Sequence, residues 1–243
     1  MLIIVEPTTT AGDGVTRPRL CRLSDDEFYY VKGRNLTPQG LVNEFICARL
    51  GQALGLPVPD FELAQLPTIP DIGSLGDLRV DLGFGVLFAS KRVPNLMEID
   101  LTRAQRVSPE ERRDLVAFDY WVGNADRTLT ERGGNPNLFW DVDRDSLVVL
   151  DHNLAFDADA SLDVLLASHI FKNDLLEIVA DAALRQHYTE SFQGVIGVWP
   201  ELVDNIPEEW LYSDEMMTIE AKLDFEGMHA HLKRLCDPNG WNA

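Results

Sequence analysis

Residues 119–157 read DYWVGNADRTLTERGGNPNLFWDVDRDSLVVLDHNLAFD. Two short apolar runs, Leu138-Phe139-Trp140 and Leu147-Val148-Val149-Leu150, flank a polar, turn-like piece at residues 141–146. That pattern predicts a β-hairpin. Asn137 then enters the first strand and Asp151 leaves the second. The ends of an antiparallel pair are neighbours, so an amide oxygen and a carboxylate converge on one spot. Such oxygen ligands suit Mg²⁺, a hard cation. Asp126 lies just upstream in a loop, where a carboxylate would orient an attacking hydroxyl and accept its proton. Asn, Asp and Gly are also ordinary turn and cap residues, and each piece read alone fits that plainer role.

The order acid loop, Asn, strand, turn, strand, acid is similar to the layout of kinase-type phosphotransferases. Gly123-Asn124-Ala125-Asp126-Arg127, Asn135-Pro136-Asn137-Leu138 and Leu150-Asp151-His152-Asn153-Leu154-Ala155-Phe156 resemble the HipA-like kinases. The last group also resembles the metal-binding segment of type II phosphatidylinositol 4-kinases. The sequence departs from the protein-kinase pattern in three places. Asp126 and Asn137 are 11 positions apart, against about five in typical protein kinases; Asn135 is therefore a rival to Asn137 as the metal amide. Ala125 stands where a His-Arg-Asp motif has its Arg, and Asp151-His152-Asn153 replaces Asp-Phe-Gly. Arg127 either neutralises phosphate charge or pairs with a nearby carboxylate to hold the loop, and the second reading is preferred. His152 reads as a packing or hydrogen-bonding residue. Asp157 reads equally as a turn acid or a ligand to a second cation.

Upstream, Ser108-Pro109-Glu110-Glu111 is a helix start, with Ser as N-cap, Pro at the first position and Glu at the third. Leu115, Phe118, Tyr120, Trp121 and Val122 make this helix mostly buried and carry it into Gly123, delivering Asp126. Nearer the N-terminus, residues 2–5, 19–23 and 28–33 read as strands. The turn-rich loop at residues 7–18 contains Gly12, Gly14 and Thr16, whose backbone N–H groups would approach phosphate oxygens. A plain hairpin loop explains the same residues.

Lys32 ends an aromatic, β-branched strand. Residues 37–54 predict an amphipathic helix capped by Thr37 and stopped at Gly55-Leu56-Pro57, with Glu44 as its one acid. In kinases a strand Lys binds the ATP phosphates and a helix Glu orients it; the resemblance assigns those roles to Lys32 and Glu44. Residues 58–63 and 80–90 read as strands and residues 66–77 and 95–100 as loops. Purine recognition is expected from backbone groups near Phe88, Ala89 and Ser90. After Asp157, residues 161–168, 172–186, 189–198 and 219–236 predict helices. Trp199 and Trp210 read as packing residues, and residues 237–243 as a fraying end.

The 243 residues suit one or two domains. No apolar run reaches the roughly 18 residues of a membrane span, and MLIIVEP lacks the basic start of a signal peptide. Three cysteines without a CxxC pair point to reduced thiols in the cytoplasm and no zinc site. A net charge of −19 opposes binding to DNA, RNA or anionic membrane. Within it, 15 of the 21 Lys and Arg lie in residues 1–135, the part expected to hold nucleotide.

The resemblance implies an α+β, protein-kinase-like two-lobed fold. Residues 1–92 would form a small β-rich N-lobe and residues 93–243 a larger, mainly helical C-lobe. It implies ATP and Mg²⁺ as cofactors, Lys32, Glu44 and Asp126 as catalytic residues, and Asn137 and Asp151 as metal ligands. The acceptor would be a protein serine or threonine, with a small molecule or lipid as the alternative. A pseudokinase that only binds partners is a third class, and an antitoxin-like partner is a further implication of the family.

Overall fold

The computed structural model of the chain describes residues 1–10, 18–67, 74–130 and 133–242. The phosphate-loop expectation at Gly12, Gly14 and Thr16 falls outside these residues. Contacts divide the chain into two compact units. The first comprises Met1–Phe45, Pro59–Val93 and Ile206–Leu223, and the second Ile46–Val58, Pro94–Asn205 and Asp224–Ala243. Among the described residues, no helix is long and apolar enough to cross a membrane.

In the first unit, β1 (Leu2–Thr10), β2 (Arg19–Leu23), β3 (Phe28–Lys32), β4 (Phe61–Gln65) and β5 (Val86–Lys91) close into a barrel in the order β1-β2-β3-β5-β4. A short parallel pairing, Leu2↔Ala64 and Ile3↔Gln65, shuts it. Alternation along the strands sends Cys21, Leu23, Tyr29, Val31, Ala64, Leu87 and Ala89 inward, where they pack with Ile4. The first strand runs past Val5 to Thr10 through two register shifts, one of them beside Pro7. Such irregularities are how a strand accommodates a residue without an N–H.

Residues 80–82, expected in a strand, instead end the helix α2 (Ser74–Leu82). Leu78 and Leu82, one helical turn apart, are buried against the barrel core while Val80 is 84 % exposed. The strand therefore starts only at Val86, after Gly83 and Gly85 turn the chain at φ 78° and 75°.

Helix α1 (Pro38–Ala53) starts as expected, with the Thr37 hydroxyl accepting from the Gly40 N–H at 3.0 Å. It is not amphipathic, because residues 40–48 are buried without a break. The segment Ile206–Leu223 forms a 3₁₀ turn at Glu208–Leu211. Trp210 is fully buried there and donates its indole N–H to the Val86 carbonyl at 2.7 Å. Arg34 lies over the Phe84 ring and donates to the carbonyls of Tyr212 and Glu209.

The second unit holds α3 (Leu101–Ala104) and α4 (Pro109–Val122). The expected capping box is present at Ser108 and Glu111, and Gly123 ends α4 in the left-handed conformation. The hairpin forms as read. β9 (Leu138–Asp141) pairs with β10 (Ser146–Val149) from Ser146↔Asp141 to Val149↔Leu138. The expected loop at residues 95–100 carries a strand, β6 (Leu96–Glu98), which joins β9; between Asp126 and the hairpin, β7 (Thr128–Thr130) pairs with β8 (Gly133–Asn135).

Next come α5 (Leu162–Ser168), α6 (Lys172–Ala180), α7 (Ala182–Ile196), α8 (Trp199–Asp204) and α9 (Phe225–Leu235). The single helix expected over residues 172–186 breaks because Asp181 caps α7, accepting from the N–H groups of Ala183 and Leu184. The last helix starts at Phe225 rather than Ile219, behind the Asp224 cap. Residues 237–241, expected to fray, are instead tied down. Trp241 is fully buried and donates to the Thr189 hydroxyl at 2.9 Å, so the indole anchors the end to α7.

Candidate active site

In the first unit, Lys32 closes β3 and Glu44 sits on α1. The Lys32 Nζ donates to Glu44 Oε1 at 2.5 Å, with the two residues 8 % and 3 % exposed. The strand fixes the stem of the lysine and the buried helix fixes the carboxylate. Lys32 pairs in register with Phe88, Val31 with Ala89 and Tyr30 with Ser90. Phe88, Ala89 and Ser90, the residues expected near the purine, also pair with Leu63, Glu62 and Phe61 of β4, so they lie in an interior strand whose backbone groups face β3 and β4.

In the second unit, α4 and its left-handed Gly123 deliver Asp126, and the hairpin delivers Asn137 and Asp151. The structure brings Asp126 and both candidate asparagines together. Asp126 Oδ2 accepts from Asn135 Nδ2 and from Asn137 Nδ2, each at 2.9 Å. Asn135 is exposed and Asn137 partly buried. Burial pushes the Asp126 carboxyl above its ordinary range; the Asn137 hydrogen bond opposes this, and the negative charge of Asp151 adds to it. Asn137 and Asp151 both take left-handed backbone conformations, at φ 47° and 61°. Asn and Asp tolerate that region best, and such outliers gather at functional sites. Asn135, Asn137, Asp126 and Asp151 carry amide and carboxylate oxygens, the hard donor types that suit a divalent cation.

Beneath this group lies a buried charge network. Asp119, on α4, accepts the Arg127 Nε–H at 2.8 Å and contacts His169 Nε2 at 3.1 Å, and all three side chains are fully buried. Arg127 Nη1 donates to the carbonyls of Asn137 at 2.7 Å and Leu150 at 2.9 Å. Of the two readings of Arg127, the structural one holds: it pairs with a carboxylate and ties together the two strand ends that carry Asn137 and Asp151. Burial by itself would raise the Asp119 carboxyl, but Arg127, then His169 and His152, outweigh it and hold it below the ordinary carboxylate range. His152 is buried and stands edge-on to Phe118. Asp157 accepts from the Asp159 N–H, as a turn acid.

Asp119 and His169 are the residues that sequence reasoning passed over. Asp119 had a signal: it is the one acid inside the run Leu115-Val116-Ala117-Phe118-Asp119-Tyr120-Trp121-Val122, all of it buried. A charge inside such a run requires a partner. His169 follows a short helix and carries no local signal.

The profile of the HipA-like kinase family matches residues 4–243. Among solved structures, the chain is similar to the Helicobacter pylori proinflammatory kinase CtkA, with a TM-score of 0.55 and 12 % identity, over 95 % of this chain and 91 % of that one. It also matches a Golgi casein kinase solved with Mn and ADP bound, with a TM-score of 0.46 and 11 % identity, over 97 % and 71 % of the two chains. No curated protein sequence matches. The likeness to CtkA shows a kinase-like fold of mixed helices and strands.

Proposed function

Because the chain belongs to the HipA-like kinase family, we propose that it transfers the γ-phosphoryl group of ATP, with Mg²⁺, to a serine or threonine hydroxyl of a protein. One observation carries this reading: Asp126 is held by the amides of Asn135 and Asn137 and lies within electrostatic reach of Asp151. In this reading residues 1–92 serve the nucleotide phosphates and residues 93–243 carry the chemistry.

Lys32, oriented by Glu44, would bind the ATP phosphates as a point charge. Asn137, through its amide oxygen, and Asp151 would hold Mg²⁺, which when bound neutralises phosphate charge. Asp126 receives both amide N–H groups on Oδ2, which leaves Oδ1 to the acceptor hydroxyl. The acceptor oxygen forms the new bond to phosphorus, the bond from phosphorus to the ADP oxygen breaks, and the hydroxyl proton passes to Asp126. The raised affinity of Asp126 for a proton suits that task. The chain's role is mainly positioning and charge neutralisation. Its three free cysteines fit a reducing compartment, and the cytoplasm is the proposed location.

Calorimetry with ATP and Mg²⁺ tests the nucleotide site. Wild type should bind, and Asp151→Ala should lose binding at least tenfold; equal binding by both would remove Asp151 from the site. Phosphate transfer, read by mass spectrometry after incubation with ATP, should be lost in Asp126→Asn while nucleotide binding survives. A wild type that binds ATP but transfers nothing to itself or to protein acceptors would leave a pseudokinase.

A further inference from the structure

We infer that His169 is a positioning residue for the phosphoryl-transfer site, a strut locked in one tautomer that acts through Asp119 and Arg127 on the placement of Asp126, Asn137 and Asp151. Its kinetic consequence rests on the kinase reading above, whereas its geometry does not.

His169 caps α5, its own N–H donating to the Leu165 carbonyl at 2.9 Å, and it stands between α5 and α6. The Phe171 backbone N–H donates to His169 Nδ1 at 3.0 Å. A backbone N–H can only donate, so Nδ1 offers its lone pair and the proton of the neutral ring sits on Nε2. Nε2–H then donates to Asp119 Oδ2 at 3.1 Å. That same oxygen accepts the Arg127 Nε–H at 2.8 Å. The neighbouring backbone grips the same arginine from its other end. The Ile170 N–H donates to the Arg127 carbonyl at 3.0 Å, and Thr128 forms a β-bridge with His169. Residues 169–170 therefore fix Arg127 at both its side chain and its main chain. Arg127 in turn holds the carbonyls of Asn137 and Leu150, one at a proposed cation ligand and one beside the other.

The path from His169 to the strand ends runs only through fully buried side chains. Water cannot replace a lost link there. Without the Nε2–H donor, Asp119 Oδ2 keeps Arg127 alone while Oδ1 still accepts from the Asn124 amide at 2.9 Å; the carboxylate can then turn toward Asn124, and the Arg127 fork can rotate away from the strand ends. A misplacement of about 1 Å in such a site costs on the order of 10²-fold in rate. A histidine that merely fills the core predicts something different: lower stability, with unchanged turnover in the molecules that stay folded.

The test has two arms. Nitrogen-15 NMR of wild-type imidazoles should show His169 as the Nε2–H tautomer, and an Nδ1–H tautomer overturns the inference. The kinetic arm compares His169→Phe, which keeps bulk without a donor, with His169→Gln, which restores one. His169→Phe should lower kcat roughly 10²-fold per folded molecule with KM for ATP within about twofold, and His169→Gln should recover most of the loss. Turnover in folded His169→Phe equal to wild type overturns the inference. Should wild type prove unable to transfer phosphate, the kinase reading fails but the strut is still judged. The Asn135 and Asn137 side-chain amide resonances must then move in His169→Phe and return toward their wild-type positions in His169→Gln, and unchanged resonances in His169→Phe overturn it.

Discussion

Two buried ion pairs among the described residues, one built on a lysine and one on an arginine, handle charge in opposite ways. In the first unit, Lys32 meets Glu44 at 2.5 Å and keeps 8 % of its surface exposed. Its ammonium is a compact charge on a flexible stem, able to turn toward another anion. In the second unit, Arg127 is fully buried, and its planar fork is spread over the Asp119 carboxylate and the carbonyls of Asn137 and Leu150. A lysine pair suits a charge that must reach a ligand; an arginine spread over several elements suits a charge that must stay where it is. The difference teaches that the charge proposed to meet phosphate and the charge that ties the two strand ends can be told apart by geometry, although both are buried.

The largest expected effect comes from breaking the arginine network. Arg127→Ala leaves the Asp119 carboxylate buried without its main partner, which costs about 3–5 kcal/mol. Replacing both charges, as Asp119→Leu with Arg127→Met, should not restore stability. The carbonyls of Asn137 and Leu150 then lose their donor, each at about 1–3 kcal/mol if left unsatisfied. Urea unfolding measures both variants. A double variant as stable as wild type would make this pair no different from an ordinary exchangeable salt bridge.

A middle-sized effect is set by pH. The folded Asp119 carboxyl titrates below its unfolded value of about 3.9. Its contribution is therefore fully present above about pH 4 and is lost as pH falls through the lower folded value. Each unit of that depression is worth about 1.4 kcal/mol. Asp119→Asn removes the titration, so its unfolding free energy should fall less steeply with acid than that of wild type, by up to about one proton in slope. Urea midpoints between about pH 2 and 5 check this; parallel curves would show that Asp119 does not titrate with folding.

The same contrast governs what could be read from the chain. Lys32 and Glu44 were legible, because a strand-ending lysine and the one acid of α1 are local signals. So was the hairpin, whose two apolar runs and polar turn need no distant information. The Ser108 cap, with its Pro and Glu at fixed offsets, was equally local. The arginine network was only half legible. Arg127 stood out as a candidate loop-holding residue, but its partners come from α4 and from the junction of α5 and α6, brought to it only by folding. Barrel closure by β1 and β4 is likewise a pairing across some 60 residues, with no sequence mark. Helix α2 was masked by its Gly- and Asp-rich surroundings, where two leucines four apart were the only cue. Phe88, Ala89 and Ser90 were placed in the right strand, yet nothing local says that both of its edges are taken.

The smallest expected change in stability is also the sharpest probe of the comparison. Lys32→Met with Glu44→Leu removes both charges of the first pair and leaves apolar side chains of similar bulk beside the buried face of α1. Buried pairs replaced in this way are often neutral or gain stability, because the cost of dehydrating two ions disappears with their attraction. The double variant should therefore unfold within about 1 kcal/mol of wild type. Nucleotide affinity should nevertheless fall well over tenfold, since the charge proposed to face the phosphates is gone. The single change Lys32→Met separates the two effects further: it takes the lysine charge from Glu44 at 3 % exposure and should be the less stable protein of the two. Were the double variant to lose as much stability as Arg127→Ala, the lysine pair would be architectural too. Were it to keep its affinity for ATP, the ammonium would not be the group that meets the phosphates.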